Sequence, residues 1–124
     1  MKQIAIVAYQ QTDSVSDAGA VNEVELIMPV LARTFKQVGL NNAQDVDFVC
    51  SGSCDYLQGA AFAFVAGVDA LGAVPPIKES HVEMDAAWAL YESILKIRMG
   101  HADSALIYGF GKSSPGDLPI VLSQ

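Results

Sequence analysis

Between Pro75 and Leu90 the hydrophobic period changes within a few residues, and this switch limits what the chain can fold into. Ile77 and Val82 are placed as in a strand; from Met84 the apolar positions Ala87, Trp88, Tyr91, Ile94 and Leu95 follow helical spacing. The stretch reads as a short strand, a sharp turn and a helix. Glu79, Ser80, His81 and Glu83 crowd the crossing point. A strand end feeding a helix start is where an α/β fold places chemistry. The helix N-terminus there offers unpaired N–H groups and the positive end of its dipole.

The rest of the chain repeats this alternation. Ile4-Ala5-Ile6-Val7-Ala8 reads as a buried strand, followed by a polar loop. Asn22 is placed to cap a helix, with Glu25 three residues on completing an approximate capping box. Val24, Ile27, Leu31, Phe35 and Val38 share one helical face; Pro29 predicts a kink or an irregular first turn, and Gly39 a stop. Val46, Phe48, Val49 and Cys50 form the next strand, with Ser51-Gly52-Ser53 as the turn after it. Asp55 can cap a helix carrying Leu57, Ala60, Ala61, Phe64 and Val68. The sequence thus predicts strands at 3–8, 46–50, 76–82 and 104–110, and helices at 22–38, 56–70 and 84–99, in a single domain. Strands alternating with helices give an α/β fold: a parallel sheet with right-handed crossovers and helices on both faces. A hydrophobic share of 52% against 17% charged suits such a sheet, whose strands are apolar throughout, and also a face that expects a partner.

The formal net charge of −7 argues against nucleic acid and against an anionic membrane surface. No apolar run reaches transmembrane length and no signal peptide precedes the first strand, so the expected location is the cytoplasm. Cys50 and Cys54 are three residues apart in between, not the spacing of a redox pair, and no second pair is present to complete a zinc site.

Several stretches together resemble the N-terminal part of the thiolase superfamily, in particular thiolase-like lipid-transfer proteins related to sterol carrier protein x thiolases. They are Lys2 to Ala8, Gln37-Val38-Gly39-Leu40, Asp45-Val46-Asp47, Glu79 to Leu90, and Ala105 to Lys112. The resemblance spans nearly all of residues 1–124 but only the leading part of a thiolase, which is built from two similar halves, so it implies a single N-terminal domain that is incomplete by itself. It implies the strand order 3-2-1-4, with the strand at 3–8 central. It also implies acyl transfer or carbon–carbon cleavage on coenzyme A thioesters of lipids or sterol side chains. No cofactor is implied beyond the coenzyme A carried by the substrate. In thiolases the strand–turn–helix holds Asn-x-x-Cys-Ala-x-Gly, whose cysteine takes the acyl group. Here Ser80-His81-Val82-Glu83-Met84-Asp85-Ala86 stands in that place, with Glu83 at the cysteine's position. Acyl-enzyme chemistry then lacks its nucleophile, whereas a retro-aldol cleavage needs only acid–base residues.

Glu83 and His81 are the candidate catalytic residues. Glu83 reads either as a general base or as a first-turn acid that complements the helix dipole together with Asp85. His81 and Glu83 meet on one strand face if the strand continues that far, and Glu79 shares that face; the alternative for His81 is a hydrogen-bonded structural role. Lys112 and Ser80 are the candidate substrate-binding residues, Lys112 for a phosphate of coenzyme A, with a solvated lysine as the plainer reading. Gly109-Phe110-Gly111-Lys112 lacks phosphate-loop spacing. Cys54, near a helix start, has the setting of a reactive thiol, yet both cysteines read more simply as structural. Trp88 reads as a core or interface residue. Helices 56–70 and 84–99 carry more apolar surface than one sheet can cover, which predicts a homodimer or a heteromeric partner.

Overall fold

The computed structural model of the chain describes residues 3–13, 23–53 and 78–110. Their core is a parallel sheet in which β1 (Phe48–Ser53) lies between β2 (Lys78–Glu83) and β3 (Ala105–Gly109). Phe48 pairs with Lys78 on one side and Ala105 on the other; Ser51 is level with both His81 and Tyr108, and Gly52 with Gly109. Side chains alternate across the sheet, so each strand feeds both faces.

On one face lies α1 (Glu23–Val38), whose Ile27, Leu31 and Phe35 pack with Val49, Leu106 and Tyr108. These are the large residues of the predicted helical face, and they carry the helix through Pro29 without a break. Gly39 takes a φ of 74° and ends it, with Leu40 N–H returning to the Phe35 carbonyl at 2.9 Å. A short turn of 3-10 helix, Ala43–Asp45, leads into β1.

The other face holds α2 (Ala86–Arg98), which crosses over β1 on its way from β2 to β3. Its buried residues are small: Ala89 and Ser93, facing Phe48 and Cys50. The fit is closest at its start. A Cβ on Gly52 would run into the Asp85 carbonyl, and one on Gly109 would lie 2.8 Å from the Ala86 methyl. Two glycines level with each other in the ladder therefore form the seat for the first turn of α2.

Four sequence expectations change. The segment 4–8 forms no strand, and Ile6 and Val7 are exposed; β1 is central instead, because its ladder to β3 takes the hydrogen bonds a strand between them would need. The three observed strands keep the relative order 3-2-4. Ser51, Gly52 and Ser53 belong to β1 rather than to a turn. Glu83 is the last residue of β2 and not part of the helix; Met84 makes the turn with a φ of 121°, and Asp85 caps the helix. Trp88 is 53% exposed, stacked edge-on against Tyr91 at 6.3 Å, and is not a core residue of the described part. The predicted helix 56–70, Cys54 and Lys112 lie outside the described residues. No helix among the described residues is long and apolar enough to cross a membrane.

Candidate functional site

Alternation along β2 sends Glu79, His81 and Glu83 to the α1 side of the sheet, level with Val49, Ser51 and Ser53 of β1. Because the strand runs through Glu83, His81 and Glu83 do meet: His81 Nε2 lies 3.5 Å from Glu83 Oε2, in ion-pair range. The other ring nitrogen, Nδ1, is 2.9 Å from Ser51 Oγ. Ser51 is buried, whereas the side chain of His81 is 16% and that of Glu83 52% exposed. A gradient of accessibility thus runs from the inner serine through the imidazole to a carboxylate open to solvent.

Tyr108, across β1 from His81, completes the inner end. Its ring stacks on Phe110 with centroids 6.1 Å apart, and the Ser51 hydroxyl lies near its own. Burial pushes the phenol up to about 12, so it stays protonated in neutral water. Ser53 Oγ, next on the same face and level with Glu83, is buried with no hydrogen-bond partner among the described residues. Ser51 and Tyr108 are the members of this cluster that sequence reasoning passes over. The signal for them is the period of two from Val49 and Leu106, once β1 is allowed to continue through serine and glycine.

Ser80 does not join this group. It faces the α2 side, where an open groove is lined by Phe48, Lys78, Glu79, Ser80, Lys96 and His101. Lys78 Nζ there donates to the His101 carbonyl at 2.8 Å, and Lys96 Nζ sits 6.0 Å from the Phe48 ring centre. The start of α2 is not a vacant anion site: Asp85 Oδ1 accepts from Ala87 N at 3.0 Å and from Trp88 N at 3.3 Å. Cys50 is fully buried beneath α2. Burial, followed by the nearby Glu92 carboxylate, raises its thiol to about 11, against weaker opposing effects of Ser93 and Lys96. Such a thiol is neither exposed nor ionised enough to attack a thioester. Among the described residues no group of His, Cys, Asp and Glu has the arrangement of a metal site.

Chemically, the cluster can move a proton. The exposed carboxylate of Glu83 can take one from a bound hydroxyl, and the imidazole beside it is held in place from behind. Compared with known proteins, the chain matches no family model, no curated protein and no solved structure.

Proposed function

We propose that the chain is a thiolase-like protein acting on coenzyme A thioesters of lipids or sterol side chains, by retro-aldol cleavage with Glu83 and His81 as its acid–base pair. The observation that carries this reading is the Ser51–His81–Glu83 arrangement at the end of β2, where the resemblance sets the reacting residue. The described sheet departs from the thiolase-like order 3-2-1-4, because β1 pairs directly with β3 and leaves no place between them for the segment 4–8. Glu83 takes the proton of a 3-hydroxyl group. The C2–C3 bond then breaks, its electron pair passes into the thioester enolate, and C3 leaves as the carbonyl of an aldehyde or ketone. Glu83 returns the proton to C2, and His81 steadies the carboxylate between the two transfers. No thiol takes part, in keeping with the buried state of Cys50.

The test is release of aldehyde or ketone from a 3-hydroxyacyl-coenzyme A, with Glu83→Gln expected to slow it by roughly 100-fold or more. No release by the native chain, or equal rates for the variant, would overturn the reading. Intact mass after incubation with acetyl-coenzyme A is expected to stay unchanged; a stoichiometric adduct would restore acyl transfer.

A second reading, a non-catalytic subunit that pairs with another polypeptide, is favoured by the outer face of α2. Met84, Trp88, Tyr91, Leu95 and Met99 form an exposed apolar stripe along it. An antiparallel pairing with a second copy sets Met84 against Met99, Trp88 against Leu95, and Asp85 against Arg98, so apolar and charged groups both match. On this reading light scattering gives a dimer that Trp88→Glu dissociates, and acyl-coenzyme A is bound without turnover. A monomer at all concentrations overturns it.

A further inference from the structure

Two contacts order the hydrogens around the His81 ring. The Glu83 carboxylate only accepts, so the ring nitrogen facing it, Nε2 at 3.5 Å, is the one that favours carrying hydrogen. In a neutral imidazole Nδ1 is then the acceptor, and Ser51 at 2.9 Å must donate to it. A hydroxyl has one hydrogen. Having given it to His81, Ser51 has none left for the neighbouring Tyr108 hydroxyl. Ser51 is 2% exposed, so bulk water is poorly placed to substitute for this bond. The opposite direction would turn the Nε2 lone pair towards an anion.

We propose that Ser51 is the positioning residue of this site: it fixes His81 as the Nε2–H tautomer, so that the ring presents a hydrogen to Glu83. Ser51 O–H to His81 Nδ1, and Nε2–H towards Glu83 at 3.5 Å, run in one direction. Val, Ala or Gly at position 51 would leave the ring free to turn or to exchange tautomers. The chemical use of this order rests on the acid–base reading above; the tautomer itself does not.

The experiment is two-bond proton–nitrogen correlation on ¹⁵N-labelled protein, at a pH where the imidazole is neutral, with His81→Gln identifying its signals beside those of His101. The native ring is expected to show a pyrrole-type Nε2 and a pyridine-type Nδ1. In Ser51→Ala the ratio of the Nε2–H to the Nδ1–H form should fall by roughly fivefold, the factor one neutral hydrogen bond contributes. Ser51→Thr should restore it, and the tautomer of the native ring tests the proposal if Ser51→Ala does not fold. A dominant Nδ1–H form in the native chain, or a ratio unchanged in Ser51→Ala, would overturn it. Loss of the proposed lyase activity with the tautomer intact would count against the reaction and leave this assignment standing.

Discussion

Gly52→Ala is expected to be among the most damaging small substitutions in the described part of the chain. A methyl at Gly52 would occupy the space of the Asp85 carbonyl and come within 2.8 Å of Ala86 N. Both are backbone atoms, so no side chain can rotate away. Nor can the turn shift cheaply: Met84 N–H is bonded to the Ser53 carbonyl at 3.1 Å, and Ala89 N–H to the Asp85 carbonyl at 3.2 Å. The helix start must lift, drawing Ala89 away from Phe48 and Cys50. Overpacking of this kind costs about 1–3 kcal/mol where neighbours can adjust; with backbone on both sides we expect about 3 kcal/mol or more. Against a typical total of about 5–15 kcal/mol this is a large share, and in a melt it corresponds to a fall of roughly 10 °C or more. Urea denaturation with a shared m-value is the assay. Gly109→Ala, whose nearest contacts are 2.8 Å to the Ala86 methyl and 3.1 Å to the Gly52 carbonyl, should cost less. A Gly52→Ala midpoint within about 0.5 kcal/mol of native would refute the close seating of α2 on β1.

Three further outcomes follow from the same region. Asp85→Ala removes the acceptor for Ala87 N and Trp88 N and should lower stability by about 1 kcal/mol in thermal melts, with Asp85→Asn nearly neutral. Met84→Gly should raise it by up to about 1 kcal/mol, because a φ of 121° is costly for any side chain and free for glycine; a loss instead would mean that the exposed methionine makes contacts worth more than the strain. Cys50 stays protonated in the folded chain up to about 11 while the unfolded thiol ionises near 9.0, so its contribution is full below pH 9 and is lost as pH rises towards 11. Cys50→Ala should flatten the fall in stability over that window by about 1.4 kcal/mol per pH unit in denaturation titrations.

The parts of this fold that are legible in sequence are those where large apolar groups do the packing. Ile27, Leu31 and Phe35 recur on one helical face, and that face is the buried one. The pairing of His81 with Glu83 follows from strand alternation alone. Sequence reasoning fails where small residues decide. Ser51, Gly52 and Ser53 have the composition of a turn, yet they continue a central strand because the space above them is taken by a helix start. On α2 the same cause inverts the usual order: Ala89 and Ser93 are buried because the helix lies close, and Trp88 and Tyr91 are left outside. The apolar run at 4–8 reads as a strand, but which edge a strand pairs with depends on partners far away in sequence, here β3 some hundred residues on.

The small residues that hide β1 from the sequence also make the site possible. Gly52 admits the Asp85 backbone, so α2 starts on top of the sheet and the chain must turn within the single residue Met84. That abrupt turn leaves Glu83 in the ladder, level with Ser53, and keeps it on the face of His81. A gentler turn would carry Glu83 into the helix, where the period of 3.6 would swing it away from the imidazole. Ser51, in turn, supplies a hydroxyl where β1 would otherwise place a core side chain such as Val49. Gly52 and Ser51 therefore act on the same carboxylate–imidazole pair through different physics. Changes at Gly52 move the pair and the stability together, whereas changes at Ser51 alter the hydrogen bonding of the ring with β1 left in place.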